Sequence, residues 1–456
     1  MNKNIKTIVA AAGLLAAGIT GVEAQNTYSG YFIDNYLYRP EMNPAFGNES
    51  NYIGFPVLSN MNIGMEGNLH LKNVLFNVNG RTSLFTNPNV SVEEVMSGIH
   101  DKNRLGANMK LNILNAGFKA FGGYNSIAVN ARANVNAQLP GAFFSLLKEG
   151  IANESYDISN LRANAEAYAE VALNHSHDIK AVPGLRIGAT VKVLVGYGQV
   201  DARFDEAQLT LGENSWDIRS NALIRASVKG LQYQTDYNED AGRYYVSGAE
   251  IDGTGLNGFG LGFDLGAQYT WGDFRFSAAV LDLGFISWDN TSVASTNGVR
   301  EVQTSKYEFD TTGDDDDSEW DRLKNDLTAL YQMDDMGNQG GRTTALAATL
   351  NFGAEYTFPL YRKLTFGLVN STRIQGAYTW TQFRLSANVR PVQCLSASAN
   401  IAAGTYGVGF GWLLNLNTGK GFSLFAGMDH TLGKLAKQGV PLNSNAKVNF
   451  GINFPF

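Results

Sequence analysis

The sequence predicts an all-β chain, a transmembrane antiparallel β-barrel of 14–16 strands with long loops carrying short helices. Three observations carry the prediction. Long runs alternate apolar and polar residues with period two, the pattern of strands with one apolar and one wet face. The runs reach 11 to 16 residues, whereas strands of globular proteins are usually about 5 or 6 and a tilted membrane-spanning strand needs about 9–11. Gly supplies 50 of 456 residues and aromatics 11%, with charged residues at only 17%. Beyond the N-terminus no apolar run approaches the roughly 20 residues of a membrane helix.

The N-terminus reads as an export signal. Lys3 and Lys6 precede an apolar stretch from Ile8 to Val22, and Val22-Glu23-Ala24 before Gln25 fits small-x-Ala cleavage. Residues 1–24 are thus expected to be a signal peptide, and the mature chain to reach the cell outer membrane. With one cysteine, Cys394, an internal disulfide is impossible. Residues 25–60 are aromatic, Asn-rich and poorly periodic, and residues 61–456 are expected to form the barrel.

Candidate strands follow near 61–72, 109–122, 124–138, 161–175, 184–199, 200–212, 215–230, 259–271 and 273–285. More lie near 345–357, 363–374, 376–390, 393–402, 405–416, 421–430 and 446–456. Even strand numbers are the rule in bacterial single-chain barrels, hence fourteen or sixteen. In the 184–199 run, Leu185, Ile187, Val191, Val193 and Val195 should meet lipid while Arg186, Thr190 and Lys192 face a wet lumen, so that truncating Lys192 should be mild. Two long loops, 231–258 and 287–344, interrupt the rhythm. In the second, Ser318 and Asp321 resemble a capping box, and Trp320, Leu323, Leu327, Leu330 and Tyr331 share one helical face. A shorter helix starts at Pro140.

The C-terminal run sets Val448, Phe450, Ile452, Phe454 and Phe456 on one face, against Asn449, Gly451, Asn453 and Pro455. A closed barrel must pair its last strand with its first, because unpaired backbone is costly in lipid. An alternating apolar strand ending on an aromatic also fits a signal for the barrel insertion machinery. Pro455 removes one ladder donor beside it.

No constellation argues for catalysis. The run Asp314 to Asp317 could attract calcium, but adjacent carboxylates cannot all converge on one ion, and a solvated acidic loop is the plainer reading. His175 and His177 share a strand face without a third ligand at metal-site spacing. No nucleophile has its base, no cofactor is expected, and a net charge of −7 argues against nucleic acid as a partner.

The stretches "YFIDNYLYRPEMNPAF", "YIGFPVLSNMNIG", "GFGLGFDLGAQY", "SAAVLDLGFISW" and "HTLGKLAKQGVPLNSNAKVNFGINFPF" resemble an uncharacterised family of Bacteroidota outer-membrane β-barrels, classed as a domain of unknown function. That resemblance implies a barrel in outer-membrane lipid and no known activity. Asn43-Pro44-Ala45 is also similar to an element near the mature N-terminus of fatty-acid-transporter (FadL-like) barrels, including barrel subunits associated with type IX secretion. This likeness implies that residues 25–60 fold into the lumen as a plug and that hydrophobic small molecules pass. Two functions follow as expectations. One is a channel or transporter for small, hydrophobic molecules; the other is a structural or secretion-associated scaffold whose loops bind a secretion-system protein.

Overall fold

Alternating strands need both neighbours to satisfy their backbone in lipid, and here fourteen of them close on themselves. The computed structural model describes residues 27–150, 155–212, 215–239, 242–307, 317–430 and 445–456. The expected signal peptide, Asp314 to Asp316 and residues 431–444 lie outside the described residues.

The wall opens with β1, built in two pieces, Tyr52–Gly54 and Met61–Gly67. It continues with β2 (Lys102–Ala120), β3 (Gly123–Pro140), β4 (Arg162–Asp178) and β5 (Leu185–Leu211). Next come β6 (Gly258–Trp271), β7 (Phe274–Trp288), β8 (Ala348–Thr357), β9 (Leu364–Ile374) and β10 (Trp380–Val392). The last four are β11 (Leu395–Gly404), β12 (Gly407–Asn417), β13 (Ser423–Asp429) and β14 (Ala446–Pro455). Each pairs antiparallel with the next. β1 closes the ring, with Ile63 between Met109 of β2 and Val448 of β14. The wall begins at Tyr52, ahead of the expected boundary at 61, because Tyr52 and Ile53 already pair with both β2 and β14.

Turns at one end are short, such as 121–122, 272–273 and 393–394, while the connections 68–101, 212–257 and 289–341 at the other are long. In outer-membrane-type barrels the short turns are periplasmic. The two faces of β5 separate as its alternation dictates. Val191 is 45% exposed, and Lys192 beside it only 7%.

Two candidate strands are not wall strands. The run 200–212 continues β5 without a turn, making a strand of 27 residues. That is far longer than the roughly 9–11 needed to span the membrane, so its outer half projects beyond it. The strand Trp216–Val228 turns back on this projection and pairs with Gly198–Leu211, while β6 takes the inner half of β5. The stretches 231–258 and 287–344 are also more ordered than loops. The first holds the hairpin Leu231–Asn238 and Arg243–Ile251. The second adds strands Ser292–Ser295, Arg300–Gln303 and Asp334–Asn338 to the projecting sheet, and Arg342–Ala345 pairs with β7.

Among the described residues, three short helices sit on the outer connections: α1 (Val92–Met96), α2 (Gly141–Glu149, between β3 and β4) and α3 (Asp317–Ala329). Ser318, the expected cap, falls inside α3, which starts at Asp317. Leu323 and Leu327 of α3 pack with Leu330 on Tyr307 and on Val302 and Ile218 of the projecting sheet.

Candidate functional site

The largest buried apolar cluster lies inside the barrel. Tyr28, Tyr31, Phe32, Tyr36, Tyr38 and Phe46 pack there against Phe425, Val369 and Leu413 of the wall. Residues 27–50 thus run within the ring, folded as tight turns with two 3-10 segments, Tyr28–Gly30 and Arg39–Glu41. Such a path buries backbone and phenol groups that need partners, and the inward wall residues supply them. Tyr36 donates to Asn449 at 3.0 Å, Tyr38 to Asn453 at 2.6 Å, and Tyr28 to Asn351 at 3.1 Å. Asn35 accepts from Ser396 at 2.7 Å and Asn415 at 3.0 Å.

Asn43-Pro44-Ala45 seats on β4 to β7. Asn43 is fully buried. Its Oδ1 accepts from the Ala45 amide at 2.9 Å, fixing the turn, and its Nδ2 donates to the carbonyls of Ala267 and Ala278, both at 3.2 Å. The Pro44 carbonyl accepts from Asn174 at 3.3 Å, and the Ala45 carbonyl from Arg186 Nε at 2.8 Å. Gly188 and Gly266 are paired across β5 and β6. A Cβ on Gly188 would collide with the Pro44 carbonyl, and one on Gly266 with the Asn43 side chain. The wall is dented where the tripeptide enters.

An ion-pair network crosses the middle of the lumen. Arg132 grips Asp282 with both guanidinium nitrogens at 2.9 and 3.0 Å and reaches Glu170 at 2.8 Å. Lys192 sits 2.7 Å from Asp264 and 2.6 Å from Asp282. A β-bulge assembles this network. Leu281 and Asp282 together oppose Asp264, and Asp282 adopts φ 57°, which turns its carboxylate inward. Aspartate tolerates that left-handed geometry better than most residues. A chamber of about 60 Å³ separates the network from Tyr28, Leu37, Pro40 and Glu41 of the inner segment. Polar lining of that kind holds water, which needs about 10–15 Å³ per molecule.

The end with the short turns opens into a cleft of about 940 Å³ lined by Phe32, Asp34, Asn35, Glu49, Arg390 and Cys394. Burial by itself would raise the Asp34 carboxyl, but the guanidiniums of Arg39 and Arg275 bring it down to about 2. It is a carboxylate at any physiological pH.

The remaining sequence candidates stand apart. His175 and His177 are neighbours with 3.2 Å between ring nitrogens, and Asn125 holds His175 at 2.9 Å. Among the described residues no third ligand joins them. Val448, Phe450, Ile452, Phe454 and Phe456 all face away from the lumen, while Asn449 and Asn453 face in. Pro455 lies opposite Tyr52; its carbonyl accepts from Gly421 at 2.6 Å, and the Phe456 amide donates to Asn51 at 2.9 Å. The lumenal network escaped the sequence. Lys192 stood on a recognised polar face, but nothing local showed that it meets Asp264 and Asp282.

Three solved structures illustrate what the chain is similar to. Over 91% of this chain and 92% of the other, it is 8% identical to the P. putida toluene transporter TodX, at a TM-score of 0.39. Over 96% and 98% it is 11% identical to the monoaromatic hydrocarbon channel CymD, at 0.40, and 9% identical to a Pseudomonas aeruginosa FadL homologue, at 0.36. At these scores the likeness adds no argument, and the barrel rests on its own strand pairing. No curated protein matches the sequence. A family model described as a family of unknown function (DUF5723) matches residues 44–429, most of the chain, and the protein belongs to that family.

Proposed function

We propose that the protein is an outer-membrane channel for small molecules, with residues 27–50 as a plug that closes it. The observation that carries this reading is the seating of Asn43-Pro44-Ala45. The plug is held in the lumen by hydrogen bonds, ion pairs and aromatic packing and joins the wall covalently only through its backbone at Asn51, so it can leave the lumen without breaking the barrel. The resemblance to FadL-like proteins implies hydrophobic cargo. The inward wall favours polar cargo instead, since beside Val369, Leu413 and Phe425 it presents Asn112, Asn130, Asn351, Asn400 and paired charges. Deleting residues 27–50 should raise conductance sharply in planar bilayers, and Gly266→Val, which pushes Asn43 off its seat, should give intermittent openings. Unchanged conductance in folded variants would remove the channel reading.

A second reading, a scaffold that binds a protein partner such as a secretion component, draws on the outer elaborations. There the hairpin carries an exposed pair of rings, Tyr237 and Tyr244, with centroids 5.0 Å apart. Deleting 231–251 should then abolish partner retention while leaving conductance unchanged.

A further inference from the structure

We infer that the passage closed by the inner segment is selective for small anions of the carboxylate class, and that the segment occupies it as a carboxylate-bearing stand-in. The inference rests on the channel reading and adds the class of solute.

The charges of the inner segment are lopsided. Residues 27–50 hold three carboxylates, Asp34, Glu41 and Glu49, against one guanidinium, Arg39. Each carboxylate meets a cation of the wall. Glu41 lies 2.9 Å from Lys110, midway along β2. Asp34 lies 2.7 Å from Arg275 at the start of β7. Glu49 takes both ends of the Arg390 guanidinium, at 2.8 and 2.9 Å, near the end of β10. A fourth wall cation, Arg186, donates to the Ala45 carbonyl. In the opposite sense the wall carboxylate Asp429 accepts from the amides of Tyr28 and Ser29, at 2.9 and 3.2 Å, but it keeps a wall partner of its own, Arg384 at 3.1 Å.

Withdrawal of the segment therefore leaves the wall unevenly charged. Arg275 retains Glu355 and Arg186 retains Asp178. Lys110 and Arg390 lose the carboxylates that face them. In the central chamber, Lys110, Arg132, Lys192 and Arg373 stand with Glu170, Asp264 and Asp282, and Glu166 lies near Arg373 and Arg132. Glu41 is the carboxylate set against Lys110. Lys110 is 7% exposed with the segment in place, and withdrawal bares its ammonium to the opened passage without the carboxylate that faced it, a fixed positive charge for an entering anion. Arg390 at the mouth with the short turns presents the planar fork that matches a carboxylate. The two form a step-wise cationic path from the mouth to mid-lumen. Pores select anions by such lysine and arginine positions.

The test uses the full chain and a chain lacking residues 27–50, both reconstituted in planar bilayers under potassium chloride and potassium acetate gradients, with folding checked by the heat-dependent gel shift. The deletion should open a pore that passes chloride and acetate several-fold better than potassium. Adding Lys110→Gln and Arg390→Gln to it should erase that preference without closing the pore. An open pore that is non-selective or prefers potassium overturns the inference and leaves the channel reading intact, as does a preference unmoved by the two substitutions. A folded deletion variant that carries no current overturns both. If the deletion fails to fold, Asp34→Asn, Glu41→Gln and Glu49→Gln together in the full chain provide the same reading. Anion-preferring openings uphold the inference and non-selective openings refute it.

Discussion

Tyr36 and Tyr38 lie in a segment without strand periodicity, as Tyr237 and Tyr244 do, yet the first two are about 2% and 1% exposed and the second two 51% and 66%. The difference is in what surrounds them. The inner rings meet Phe425 at 5.0 and 5.6 Å between centroids, and their hydroxyls find Asn449 and Asn453. The outer rings meet each other across a two-stranded hairpin that projects into water. An isolated hairpin is marginal at best, so the outer pair adds little to stability while the inner pair forms the middle of the largest core. The difference also gives a reason for the six buried rings within residues 27–50. A wide barrel has an empty middle, and only a second piece of chain can bury rings there.

That contrast predicts the largest effect. Tyr36→Ala and Tyr38→Ala should each cost about 3–5 kcal/mol, as large-to-small changes in a packed core do, measured by urea-titrated unfolding from detergent micelles. Tyr237→Ala with Tyr244→Ala should cost under about 1 kcal/mol, the scale of one cross-strand pair. Equal losses at the two places would break the comparison.

The same reasoning applies between the two faces of one strand. Removing Lys192 strands Asp264 beside Asp282, and breaking a buried pair from one side costs about 3–5 kcal/mol. The sequence suggested a mild effect because Lys192 was expected to face a wet lumen. The structure instead buries Lys192, Asp264 and Asp282 together as ion pairs. Val191→Arg on the lipid face should cost about 2–4 kcal/mol. Lys192→Ala is thus expected to be at least as damaging as Val191→Arg in the same unfolding titration, and the reverse order would return the lumen to a wet, weakly coupled state.

The smallest effect on stability belongs to Phe456. It is 60% exposed, against 1% for Phe425. Phe425→Ala should destabilise the folded barrel by about 3–5 kcal/mol, and Phe456→Ala by under about 1 kcal/mol, the scale of surface changes. If the outward set Val448, Phe450, Ile452, Phe454 and Phe456 is also read by the insertion machinery, Phe456→Ala should still lower the amount of assembled barrel in membranes and leave unfolded chain in the periplasm. Normal membrane levels for Phe456→Ala would sharpen the comparison to packing alone.

What the sequence determined by itself is the wall. A period of two is a property of a single strand, so runs such as Phe259 to Trp271 and Tyr406 to Leu416 declare their faces without reference to any neighbour, and their length declares the membrane. Strand count was legible only to within two, because the break between one long strand and two short ones depends on what lies beside it. Nothing near Gln199 says that β5 runs on past the membrane until Trp216–Val228 is seen to pair with its outer half. The site was decided by tertiary structure alone. Asn43-Pro44-Ala45 could be picked out as a turn, but the dent that receives it comes from Gly188 and Gly266, on two strands more than 75 residues apart in sequence. The pairing of Glu41 with Lys110, Asp34 with Arg275 and Glu49 with Arg390 joins positions that no local pattern relates. Alternation fixes which way a side chain points. What it points at depends on curvature, register and closure, and those belong to the ring as a whole.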